Sequence, residues 1–310
     1  MDYSHPQKFT VTSEDGNWHK EYSVIIDTFD LPLRYDFEHY ELNETGKYQV
    51  FFEETQGTAL FKQYIWASGN SGFALTGVGR NPQEYPTVSI ENGIDGSRAI
   101  KLETKSTGQF GETVKMPIAA GNLFLGSFDV NNAVQKPLKA TRFGLPFGKK
   151  PLQLKGYYKY TPGTQPFKAK DKNGNTVTIP GQEDEGDIYA VLYEAAELDG
   201  QALDGNNVLT SKNIVALARV EVEKKDEFTA FHVDFHYGSR IPIDWPKFIQ
   251  DQRDPSDDGT APYLSFSEKK MKSYEYNLAV VFTSSKYGAY FAGSVGSTLC
   301  IDKVEIVCEK

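Results

Sequence analysis

Apolar positions along this chain recur mostly at every second residue, the spacing of strands with one buried and one wet face. Phe9 and Val11 precede a polar turn at residues 12–16, and Trp18, Tyr22, Val24 and Ile26 follow it, which predicts a β-hairpin. Tyr48, Val50 and Phe52 alternate as a further strand, and residues 97–104, 154–160, 188–193, 214–222 and 228–237 predict others. Residues 161–186 collect Pro, Gly, Lys, Asn and Asp and read as a long mobile excursion. Residues 242–258 form a polar connection with a short helical turn over 245–249. The sharpest pattern closes the chain. Residues 276–282 are apolar and β-branched, residues 284–288 interrupt them, 289–295 resume with aromatics, and 299–307 run as a last strand. In that strand Leu299 and Ile301 share one parity and Val304 and Ile306 the other. The apolar face therefore changes phase near Asp302 and Lys303, which takes a bulge or a twist.

At 310 residues the chain suffices for one large β domain or two smaller ones, either with a sizeable core. Aromatics make up 13% of it and Gly and Pro recur at turn spacing, which with the strand patterns predicts an all-β protein. A net charge of −9 without a run of basic residues argues against nucleic acid and anionic membrane surfaces as partners, and favours neutral ligands. No apolar run approaches the roughly eighteen residues of a membrane span, and residues 1–6 carry no export signal. Cys300 and Cys308 would stand ~26 Å apart on one continuous strand, beyond disulfide reach.

Several motifs, in the same order, resemble the bacterial PCMD family, the putative carbohydrate metabolism domain. They are Trp66 with Gly69 and Asn70, the run from Ala119 and Ala120 through Gly121 to Gly126, and Pro151 and Leu152 with Gly156, Tyr157, Tyr158 and Tyr160. The closing stretch adds Ser284, Ser285, Lys286, Gly288, Phe291, Gly293, Gly296, Ser297 and Asp302. The resemblance covers about residues 27–310 and implies a jelly-roll-like antiparallel β-sandwich from glycan-consuming bacteria. Residues 1–26 then read either as the last hairpin of an immunoglobulin-like domain or as the first hairpin of the sandwich. The resemblance also implies a secreted, periplasmic or outer-surface protein, a lipoprotein for instance, whose export signal is not in this stretch. Its partners would be an oligosaccharide or polysaccharide and the proteins of a surface glycan-use complex.

Candidate chemistry is scattered. Tyr64, Trp66, Tyr157, Trp245 and Tyr290 lie near expected loops or strand ends, where flat rings can pack on the CH faces of a pyranose, and Asn70 could orient a hydroxyl. Trp66 is expected at the ligand surface, because the Gly-rich residues 68–72 beside it keep the backbone open. Glycoside hydrolysis takes two carboxyls, and the candidates are Glu185 or Asp187 facing Asp234; a solvated acidic loop explains the first two equally well. His232, Asp234 and His236 share a strand parity about 6.6 Å apart, which suits a metal or simply a wet strand face. Asp254, Asp257 and Asp258 have the spacing of a calcium loop but lack its closing Glu. No cofactor is expected apart from a structural calcium between Asp302 and Asp30, with Asp36 and Glu38 nearby; the alternative is that Asp302 accepts hydrogen bonds from amides exposed by the bulge. Three functions follow: sugar binding without cleavage, glycoside hydrolysis, and a surface adhesin.

Overall fold

A computed structural model of the chain describes residues 7–24, 30–55, 61–198, 201–253 and 259–310. Ile26, the expected domain boundary after it, and Asp254, Asp257 and Asp258 lie outside the described residues. The chain divides into two compact units, residues 1–31 and 32–310. In the first, Gln7–Thr12 and His19–Val24 pair antiparallel, with Thr12 opposite His19. Ser13 holds the turn: its Oγ accepts the Trp18 N–H at 3.0 Å and its carbonyl accepts the Gly16 N–H at 2.9 Å.

The second unit is an antiparallel β-sandwich. Along the main paths of its two large sheets lie β1 (Thr87–Ile90), β2 (Ala99–Glu103), β3 (Asn122–Phe128), β4 (Thr141–Phe143), β5 (Pro151–Thr161), β6 (Asp187–Glu194), β7 (Ile214–Val220), β8 (Lys225–Asp234), β9 (His236–Tyr237), β10 (Tyr276–Thr283) and β11 (Thr298–Cys308). Among the described residues, a six-stranded sheet has the order β8-β5-β11-β2-β1, with Arg34–Tyr35 added on β11. An eight-stranded sheet has the order β4-β3-β10-β6-β7-β9, with Leu145–Pro146 on β10 and Trp66–Ala67 on β3. The chain crosses repeatedly between them, from β2 to β3, β4 to β5, β5 to β6, β7 to β8, β8 to β9 and β10 to β11. That wrapping makes the sandwich jelly-roll-like.

Alternation sets which side chains fill the middle. Leu154, Gly156, Tyr158 and Tyr160 of β5 are buried at every second position. Strand β6 departs from this, since every residue from Asp187 to Glu194 is buried. Tyr189, Val191 and Tyr193 point away from the other sheet and pack beneath connections that carry Leu203, Val208, Leu209 and Tyr263. A strand covered on both faces reads as a continuous apolar run.

The phase change in the last strand is a bulge. Between Lys155 and Tyr157 the register of β5 against β11 shifts, so that Lys303 and Val304 together oppose Gly156. Lys303 takes φ 47°, and Leu299, Ile301, Val304 and Ile306 all reach the core despite their opposite parities. Both cysteines lie on this strand, unpaired, with their thiols pushed up to about 11 by burial.

Three expectations change. Residues 289–295 form no strand; a 3-10 turn at Gly288–Tyr290 leads into Phe291 at φ 57°, and Gly288 packs so closely that a Cβ there would fall 2.3 Å from Ala120. The excursion at 161–186 contains a hairpin, Lys168–Lys170 with Thr176–Thr178, turned by Asp171 through Asn175. The row of His232, Asp234 and His236 is broken: β8 ends at Asp234, and His236 pairs with Leu217 in the other sheet. Among the described residues no group of His, Cys, Asp and Glu is placed to hold a metal.

Candidate functional site

The outer face of the eight-stranded sheet is roofed incompletely, and the gap is a cleft of about 190 Å³. Its floor includes Asp187 and Tyr189 of β6, Arg219 of β7 and Val281 of β10. Trp245, Arg253 and Tyr290 line it from the connections. Asp187 is the first residue of β6, opposite Thr283, and Arg219 lies across the next ladder, opposite Tyr189. The diagonal between them is short. Arg219 Nε donates to Asp187 Oδ1 at 2.9 Å and Nη2 to Oδ2 at 2.7 Å, a bidentate bond. Burial alone would lower the Arg219 pKa, but the adjacent carboxylate outweighs it and raises that pKa above its usual value.

Trp245 forms an aromatic wall with two tyrosines. Its ring centroid lies 6.4 Å from those of Tyr287 and Tyr290, and the Arg253 guanidinium stands 4.2 Å over it. Arg253 Nη1 also donates to the Tyr290 hydroxyl at 3.3 Å. Burial, followed by the charge of Glu185, pushes the Tyr287 phenol up to about 12. A flat, partly exposed indole beside a fixed pair of ionised groups can hold a ring with one apolar and one hydroxylated edge.

A family described as "Putative carbohydrate metabolism domain" (PCMD) matches residues 36–307. The chain belongs to the PCMD family. A solved structure from Bacteroides thetaiotaomicron, described as a putative glycoside hydrolase, shares 41% identity at a TM-score of 0.74, over 100% of this chain and 80% of that one. A second, from Bacteroides vulgatus and described in the same words, shares 35% identity at 0.73, over 91% of this chain and 100% of that one. A comparison with curated proteins found no match.

Several motif residues of this PCMD domain meet at one buried carboxylate beside the cleft. Asp184 Oδ2 accepts from Ser285 Oγ at 2.6 Å, Ser297 Oγ at 2.7 Å and the Ser294 N–H at 2.8 Å. Ser284 and Ser285 both share hydrogen bonds with Thr104, so the ends of β2, β6 and β10 and the start of β11 are tied together. A Cβ at Gly293 would fall 2.5 Å from Ser285 Oγ and 2.9 Å from Asp184 Oδ2, which is why no side chain fits there. Gly121 has the same constraint, with backbone atoms of Glu103 and Pro86 2.3 and 2.4 Å from the position of its Cβ. These motifs thus build the strand ends that present the cleft.

Most residues expected at the ligand do not reach the cleft. Trp66 is 4% exposed and packs on Tyr35, Phe37 and Phe282 between the sheets. The glycines after it lead into a short helix, Asn70–Ala74, rather than an open turn. Asn70 is buried, and its amide exchanges hydrogen bonds with the backbone of Thr87 at 2.8 and 3.1 Å. Tyr64 is 51% exposed but lies outside the cleft, with its hydroxyl donated to Glu41 at 2.7 Å. Tyr157 is on the outer face of the six-stranded sheet, opposite Asp302 and Ala230. Trp245 and Tyr290 are the members of that set that line the cleft.

The expected carboxylate pairing fails on distance. Asp234 is opposite Gln153, to which it is hydrogen-bonded at 2.7 Å, near one end of β5. Tyr160, near the other end, donates to Ser284, which directly follows the β10 residue paired with Asp187. Seven residues of strand, roughly 23 Å, separate Gln153 from Tyr160. Glu185 is exposed and paired to Lys286 at 2.7 Å. Arg219 and the serine cluster around Asp184 were missed by sequence reasoning, because the partners of both lie on distant strands.

Asp302 is engaged by donors on both carboxylate oxygens. Its Oδ2 accepts from the Ile94 N–H at 2.7 Å and Ser97 Oγ at 2.9 Å, and its Oδ1 accepts from the Lys303 N–H at 2.7 Å. Donor hydrogens directed at both oxygens do not fit a calcium site. Asp30 belongs to the first unit and is exposed, and Glu38 accepts from the Arg98 N–H at 3.0 Å.

Proposed function

We propose that this PCMD domain binds an oligosaccharide or polysaccharide in the cleft over the eight-stranded sheet without cleaving it, as part of a bacterial surface or periplasmic glycan-use system. The observation that carries this reading is the pairing of the Trp245 wall with the Asp187–Arg219 floor in a single cleft. The rings supply apolar area that stays rigid on binding, and the ion pair supplies donors and acceptors whose geometry is already set. Cleavage needs a second carboxyl about 5 to 9.5 Å from the first. Among the described lining residues Asp187 is the one carboxylate, and both its oxygens already accept from Arg219.

A glycan array, read for retention and for release of reducing ends, tests the proposal. Retention without release, weakened by Trp245→Ala, is the expected result. Release by the wild-type protein that Asp187→Asn abolishes while binding persists would favour a glycoside hydrolase instead. That second reading is supported by the two similar structures, each described as a putative glycoside hydrolase.

A further inference from the structure

The basic groups around the cleft differ in whether they have partners. Arg219 is neutralised by Asp187, Lys286 by Glu185 at 2.7 Å, and Lys168 faces Glu112 at 4.0 Å. Lys170 has no ion pair among the described residues. It closes the strand Lys168–Lys170, and its Nζ stands 4.5 Å from the ring centroid of Phe291, a cleft-lining residue held at φ 57°. The charge it senses is another cation. Burial and then Lys115 both hold the Lys170 pKa below its usual value. Lys115 is exposed between the lining residues Val114 and Met116; its Nζ bonds to Asn173 O and Asn175 Oδ1, each at 3.4 Å, and its charge also acts on the Asp171 carboxylate of the same turn, so Lys170 is the one left without a counter-charge.

A half-buried ammonium without a counter-charge is costly, and the face of one phenylalanine offsets only part of that cost. Two lysines crowded at a lip of the cleft make a local positive field in a chain of net charge −9. A bound anion would relieve both the desolvation and the repulsion. The whole-chain charge, which favours neutral ligands, misses this local inversion.

We propose that the Phe291 lip of the cleft receives an anionic group of the saccharide, a uronate carboxylate or a sulfate ester, with Lys170 as its counter-ion and Lys115 reinforcing the charge. This rests on the reading that the cleft binds saccharide. Phe291 would pack against the sugar ring that bears the acid, and Lys170 would gain a charge-assisted hydrogen bond that offsets the repulsion from Lys115.

The experiment is calorimetry on the full chain with uronate-containing and sulfated oligosaccharides, each beside its carboxyl-reduced or desulfated counterpart, at low and high salt. The expected result is an acidic form bound about tenfold more tightly than its neutral counterpart, a preference that shrinks with salt and in Lys170→Gln and returns in Lys170→Arg. Which pair shows the preference separates carboxylate from sulfate. Equal affinity for acidic and neutral forms, with Trp245→Ala weakening both, would overturn the anion site and leave the cleft reading standing. Wild-type preference unchanged in a folded Lys170→Gln would place the anion elsewhere and overturn it too. Failure of every saccharide to bind would overturn both readings.

Discussion

The indole N–H of Trp66 donates to Glu53 Oε1 at 2.8 Å, and the ring above that bond meets Tyr35 edge-on at 5.0 Å between centroids. Trp66 is therefore a core residue, whereas Trp245 lines the cleft. Trp66→Ala is expected to cost about 3–5 kcal/mol in urea unfolding, the range for a large buried aromatic, with no separate effect on saccharide affinity in the folded fraction. Trp245→Ala should do the reverse, weakening binding by about 1 kcal/mol or more with a smaller change in stability. Matching effects of the two substitutions on binding would refute the distinction.

Removing one member of the Asp187–Arg219 pair strands the other. Asp187→Ala is expected to destabilise the fold by about 2 kcal/mol, since a largely covered guanidinium is left without its carboxylate. Replacing both residues together should cost less than the sum of the single changes. A double-mutant cycle by denaturant unfolding gives the coupling, and strict additivity would mean that the pair contributes nothing jointly.

Two buried acids set a pH dependence opposite to that of surface ion pairs. Burial pushes Asp184 up to about 6 against its serine hydrogen bonds, and Glu53 up to about 7 against the Trp66 N–H. Both folded values lie above the ordinary 3.8 and 4.5, so between them the folded state holds more protons than the unfolded chain. The stability contributed by the protonated forms is full below about pH 4 and is lost as pH rises through about 6 and about 7. Asp184→Asn and Glu53→Gln cannot ionise. Urea unfolding from about pH 4 to about pH 8 should show the wild type losing stability relative to each variant as pH rises, and parallel curves would contradict this.

Asp302 acts as a hydrogen-bond acceptor for the turn at Gly93–Ser97 and for the bulge. Adding calcium after chelation should leave the melting temperature unchanged, whereas Asp302→Ala should cost about 1–3 kcal/mol by leaving the Ile94 and Lys303 amides without their acceptor. A calcium-dependent rise in the wild type that Asp302→Ala removes would reverse the assignment.

The strands were legible wherever one face is wet. Leu154, Tyr158 and Tyr160 announce β5 by parity alone, and the reversal between Ile301 and Val304 announces the bulge. The site was less legible, because it depends on contacts between residues remote in sequence. Asp187 was visible as one of several acids, but Arg219, 32 positions later, looks like any charged residue at the end of a strand. Trp66 misled because Gly69 and Gly72 suggested an open turn, while both serve close packing: their added Cβ atoms would come within 3.2 Å of Asn122 and 3.1 Å of Phe128. Local chemistry does not reveal whether a glycine is there for a turn or for a neighbour.

The bulge at Lys303 makes chain length, more than side-chain identity, the sensitive quantity in the last strand. A substitution at Lys303 changes a half-exposed side chain whose ion pair is with the exposed Asp95. Deleting Lys303 would pair Val304 directly with Gly156 and leave Leu299, Ile301, Val304 and Ile306 on one parity, whereas deleting Cys300 or Glu305 would turn an apolar side chain out to water or drag part of the strand one step along β5. Shifting the strand would also break the ties from Thr298 and Leu299 to β2. Single-residue deletions should therefore be tolerated in the Asp171–Asn175 turn and at Lys303 itself, and selected against at Cys300 and Glu305 of the same strand.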